Sequence, residues 1–160
     1  MAQQFLYSVE REYPVSIERL WKAWTDASEL ESWYHPTDLS STKGATVSDL
    51  SIGGLWRCGV EVPEHGFTAY FFGQYTKIVP SELIEHTLHY TTSAEEFAKT
   101  DLSTESHLIR IEFENRGSSS WSKFSQFGEL PDGQAEMAQA GMESYFDSLG
   151  IYLKVDSSTV

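Results

Sequence analysis

The stretch Asp132-Gly-Gln-Ala-Glu-Met-Ala-Gln-Ala-Gly-Met-Glu-Ser-Tyr-Phe-Asp-Ser-Leu-Gly-Ile-Tyr-Leu153 decides the fold of this chain. Ala138, Gly141, Met142, Tyr145, Leu149 and Tyr152 recur at steps of three and four, which lays them along one stripe of an α-helix. Glu136, Gln139, Glu143 and Asp147 share the other side. Pro131 and Asp132 open such a helix, and no proline interrupts it before the chain ends. About twenty helical residues span about 30 Å, so the stripe needs a surface of matching length. Only the strand-like run that precedes it can supply one. The reading is a sheet holding one long helix.

Working outward, Phe5, Tyr7, Val9, Arg11 and Tyr13 alternate with Leu6, Ser8, Glu10 and Glu12, the signature of a strand. Ser16 is a good N-cap for a short amphipathic helix carrying Ile17, Leu20, Trp21 and Trp24. Asp26 opens a second, with Glu29 at capping-box spacing and Leu30, Trp33 and Tyr34 on one face, until Pro36 stops it. The pair should leave a notch lined by Trp24, Leu30 and Trp33. Residues 37–43 read as a polar loop and Val47 to Ile52 as a weak strand, closed by the turn at Gly53-Gly54. Four clearer strands follow, separated by turn signals at Pro63–Gly66, Pro80-Ser81 and Asn115–Ser118. They run through Trp56–Val62, Phe67–Val79, Ile84–Tyr90 and His107–Phe113, and a last one spans Trp121–Phe127. A helical turn is expected at Ala94–Lys99. Hairpin-length connections make the sheet antiparallel, with the helices on one face, so the fold class is α+β. One domain is expected over residues 1–156, with 157–160 as a frayed tail.

The chain of 160 residues is long enough to bury a sizeable core, and five Trp, eight Tyr and nine Phe favour a sheet-rich one. A formal charge of −13 argues against a nucleic-acid or anionic-membrane partner. The lone Cys58 excludes an intrachain disulfide and a cysteine-rich zinc site. The start, Met-Ala-Gln-Gln-Phe, lacks the basic and apolar regions of a secretory signal, and no apolar run approaches membrane-spanning length. A soluble cytoplasmic protein is expected.

Few residues invite catalysis. His86 and His89 stand at odd spacing on a strand and so point to opposite faces, and no His-Glu-x-x-His pattern occurs, so no metal is expected. Cys58 shares a face with Trp56, Val60 and Val62, the place of a small core residue rather than of a nucleophile. No phosphate-binding glycine loop is present, and no cofactor is expected. His86 shares its face with Ile84, Leu88 and Tyr90. It reads either as a core histidine with a hydrogen-bond partner or as a polar handle in an apolar pocket. Arg11 reads as structural. Gly141, in the middle of the long helix, costs about 1 kcal/mol against alanine. That cost suits either a close approach of helix to sheet, the favoured reading, or room left for a ligand beside Met142.

Taken together, these residues resemble the Hsp90-ATPase-activator-like branch of the START/Bet v 1-like (SRPBCC) superfamily. The resemblance rests on Arg11, on Ser16-Ile-Glu-Arg-Leu-Trp-Lys-Ala-Trp-Thr-Asp26, on Leu30-Glu-Ser-Trp33 and on Gly53-Gly54. Gly73-Gln-Tyr-Thr-Lys-Ile-Val-Pro-Ser-Glu-Leu83, Gly141-Met142 and Leu149 complete it, in the family's order over nearly the whole chain. Met142 stands where that branch often has Trp, and Ser118-Ser119 where a Gly-Thr pair is usual. The resemblance implies a helix-grip fold, with a curved antiparallel sheet around the C-terminal helix and a cavity between them. It implies a hydrophobic or aromatic small molecule as partner, with Trp33, Trp56, Phe72, His86, Tyr90, Met142 and Tyr145 as candidate ligand-binding residues. Two alternatives stay open. One is an enzyme in the same pocket, cyclase- or hydrolase-like, with His86 as general base and Tyr90 as hydrogen-bond donor. The other is a stress-related interaction domain using the Trp24–Trp33 notch. A homodimer is also left open, and activation of Hsp90 is not carried over.

Overall fold

In the computed structural model, which describes residues 4–158, strand β1 (Gln4–Tyr13) leads into helices α1 (Ile17–Thr25) and α2 (Ala27–Trp33). Both helices start where their caps dictate. The Ser16 hydroxyl accepts the Arg19 N–H and the Asp26 carboxylate accepts the Ser28 N–H. Next come β2 (Ser40–Ser41), β3 (Val47–Ser48), β4 (Leu55–Val62), β5 (Phe67–Val79) and β6 (Leu83–Thr91). Helix α3 (Ala94–Lys99), β7 (His107–Asn115), β8 (Ser120–Gly128) and α4 (Gln134–Ser158) complete the chain. The polar stretch 37–43 contains the short β2, and the weak strand expected over Val47–Ile52 shrinks to β3. Beyond Ser48 the backbone turns on itself, with the Ser51 N–H donating to the Asp49 carbonyl and the Gly54 N–H to the Ser51 carbonyl. Helix α4 passes Leu153 and continues to Ser158, and residues 159 and 160 of the expected tail lie outside the described residues.

The sheet is antiparallel in the order β1-β8-β7-β6-β5-β4-β2, with β3 also paired to β4. Register irregularities at Phe5/Tyr7 and Tyr75/Lys77 bend their strands. The sheet curls into a half-barrel around α4, which is the helix-grip arrangement. Register sorts the rings. Trp56 and Cys58 stand opposite Gly73 and Phe71, while Phe71 and Tyr75 stand opposite Tyr90 and His86, all on the concave face. Phe72 pairs with Arg57 and His89 on the other face.

The C-terminal part of α4 packs solidly on the concave face, with Phe146, Leu149 and Leu153 buried against Tyr13, Ile17 and Leu20. Arg11 reaches the outer side of α4, pairing with Glu143 at 2.8 Å and with Asp147. The notch expected between α1 and α2 is filled: Trp24, Leu30 and Trp33 are all buried. The Trp33 indole N–H donates to the Ala23 carbonyl at 2.8 Å, and its ring meets Trp24 edge-on at 4.7 Å. Phe146 covers Trp24 from α4, and the Ser148 hydroxyl donates to the Trp33 carbonyl. No aromatic surface is left there for a protein partner.

Candidate functional site

A gap remains between the first half of α4 and the concave face, and Ala138 and Gly141 put little or no side chain into it. A Cβ added at Gly141 would meet nothing within 4 Å. The gap is a cavity of about 540 Å³. Its walls are Phe71, Leu88 and Phe124 from the sheet, Met142 and Tyr145 from α4, and Tyr34 from the end of α2. Tyr90 and Met137 stand at the mouth, 57% and 67% exposed.

Beside His89, Glu105 and Gln134, two sets of polar groups enter these walls. A closed chain of hydrogen bonds crosses the sheet side, where the Tyr7 hydroxyl donates to Gln126 Oε1 at 2.7 Å. Gln126 Nε2 donates to His107 Nδ1 at 2.7 Å, and His107 Nε2 donates to the Glu129 carbonyl at 3.1 Å. Tyr34 and Tyr145 form the second set. Their rings meet edge-to-face at 4.8 Å, and neither hydroxyl has a hydrogen-bond partner among the described residues. Neither oxygen is among the fully enclosed, unpartnered polar atoms, and both residues line the cavity. Burial pushes the pKa of Tyr7, Tyr34 and Tyr145 well above the ordinary phenol value, which keeps all three neutral donors.

A sequence profile described as Activator of Hsp90 ATPase homolog 1-like protein matches residues 14–154. The chain belongs to this family. No curated protein matches it in sequence. The solved structure of the AHSA1 protein from Silicibacter pomeroyi superposes with a TM-score of 0.77 at 18% identity, covering 94% of this chain and 98% of that one. A protein from Nitrosomonas europaea gives 0.74 at 19% identity, over 95% and 96% of the two chains. One from Staphylococcus epidermidis gives 0.73 at 20%, over 93% and 89%. At these identities the likeness shows the shared fold alone.

Within this activator-like fold, three of the seven expected ligand-binding residues reach the cavity: Tyr90, Met142 and Tyr145. Trp33, Trp56 and His86 lie on the concave side but in solid core, because Tyr34 stands between them and the open space. His86 stacks on Trp56 at 4.3 Å, and its Nδ1 donates to the Thr87 carbonyl at 2.8 Å. Its Nε2 is enclosed without a partner, and burial pushes its pKa down to about 4. The ring is a neutral core group outside the cavity lining, which corrects the expectation of a general base there. Phe72 is a correction of another kind. It lies on the convex face, stacked on His89 at 4.8 Å and packed beside Phe97 of α3.

Tyr7, Tyr34 and Gln126 also line the cavity, as does His107, which from sequence reads like His86 but at a strand end. Tyr7 carried a signal, since it shares strand parity with the buried Val9 and Tyr13. Gln126 carried none, because its contact with His107 depends on how β7 and β8 align. Burial also pushes the Cys58 thiol far up in pKa, which rules it out as a ready nucleophile. Among the described residues no three His, Cys, Asp or Glu side chains converge as metal ligands, and no helix is long and apolar enough to cross a membrane.

Proposed function

We propose that the protein binds a largely apolar small molecule between the first half of α4 and the concave face of the sheet. The observation that carries this is the cavity itself. Its volume of about 540 Å³ falls within the range of ligand pockets, roughly 300–1,000 Å³. Its walls are mostly aromatic and aliphatic, with a few polar groups placed together, which is how small-molecule sites combine affinity with orientation. A solid core would have closed the space, since interiors pack with few voids larger than a water molecule. Membership of a family with this fold supports the reading by analogy.

The test is titration with the neutral fluorophore N-phenyl-1-naphthylamine, followed by energy transfer from tryptophan. Saturable binding is expected in the native protein. Ala138→Phe, which fills the cavity from α4, should abolish it, whereas Phe72→Leu on the convex face should leave it. Non-saturable binding, or equal binding by the Ala138→Phe variant, would sink the proposal.

A further inference from the structure

Resting on that reading, the geometry points to a narrower ligand class: an uncharged molecule that presents a carbonyl-type acceptor oxygen to the hydroxyls of Tyr34 and Tyr145. The hydrogen-bond inventory of the cavity leads there. Along the Tyr7–Gln126–His107–Glu129 chain each donor named is already committed to a protein acceptor. The Tyr34 and Tyr145 hydroxyls are committed to nothing among the described residues, although both rings are buried. Polar groups left unpaired in an apolar wall carry a desolvation penalty that a ligand atom can relieve. A carbonyl oxygen has two lone pairs and can accept from two donors at once. The two rings are in edge contact, 4.8 Å between centroids, so the two residues are neighbours in the cavity wall.

Charge narrows the class further. No lysine or arginine lines the cavity, and the one carboxylate in its walls is Glu105. An anionic ligand would therefore meet no permanent cation, only the imidazoles of His89 and His107, in a protein of formal charge −13. A cation could use the aromatic faces. It would still leave the two hydroxyl donors unpaired, because an ammonium group has no lone pair to offer.

Four ligands of one size test this: 2-acetylnaphthalene, 2-ethylnaphthalene, 2-naphthoate and (naphthalen-2-yl)trimethylammonium, titrated by calorimetry into the native protein and into the Tyr34→Phe/Tyr145→Phe double variant. Both substitutions keep the rings and their packing, and a thermal melt of the variant checks that it is folded. The ketone is expected to bind more tightly than either ion. The ratio of ketone to hydrocarbon affinity is expected to fall about tenfold in the double variant, the worth of about one net buried hydrogen bond. An unchanged ratio overturns the inference, as does tighter binding of the carboxylate or the ammonium. In those cases the hydrocarbon still binds and the cavity remains a ligand site. If none of the four binds, the cavity reading and this inference fall together.

Discussion

Gly141→Ala probes the place where α4 leaves the sheet. Sequence alone favoured a tightly packed glycine there, for which an added methyl would clash. The structure reverses that expectation, since the new Cβ would find nothing within 4 Å and the residue sits in the middle of a 25-residue helix. The substitution should therefore deliver most of the helix-propensity difference between the two residues, about 0.5–1 kcal/mol. In a domain of this size that raises the melting temperature by about 1–4 °C. The methyl projects into the cavity, so affinity for a ligand that fills it should fall at the same time. Gly73→Ala is the built-in contrast. There the added Cβ would run into the Thr87 backbone carbonyl of the neighbouring strand. A loss of roughly 1–3 kcal/mol or more is expected. Thermal melts followed by circular dichroism, with and without a bound probe, measure both variants. A lower melting temperature for Gly141→Ala would refute the standing-off of α4 on which the cavity reading depends.

Two further expectations follow from side chains outside the cavity. His86 refuses a proton in the folded protein until about pH 4, whereas the unfolded chain takes one up near pH 6.5. Its contribution to stability is thus complete above about 6.5 and declines as pH falls toward 4, by about 1.4 kcal/mol per unit and on the order of 3 kcal/mol in all. Urea melts across that window should show a shallower acid decline for His86→Phe than for the native protein, and parallel declines would refute the buried neutral ring. Arg11 bridges to Glu143 and Asp147 on the protein surface, with both carboxylates at least half exposed. Arg11→Met should therefore cost less than about 1 kcal/mol, and less still in high salt. A large, salt-independent loss would assign Arg11 a role in packing instead.

What could be read directly from the chain is what depends on neighbours in sequence. The caps at Ser16 and Asp26, the alternation along Trp56–Val62 and the three-and-four spacing of the last helix all act over a few residues. They suffice for the elements and, through hairpin-length connections, for an antiparallel sheet gripping a helix. Which ring faces the cavity is decided elsewhere. Phe71 and Phe72 are both large and apolar, and both faces of β5 are covered, one by the α4 side and the other by α3. Alternation alone therefore could not say which one looks into the grip. His86 has the right parity for the concave face, yet Tyr34, delivered by α2 from fifty residues upstream, closes it off. Gln126 meets His107 only because β7 and β8 align in one register. A cavity is a gap between surfaces that distant segments bring together. Its walls are fixed by how those segments pack, a relation that no local period in the sequence records.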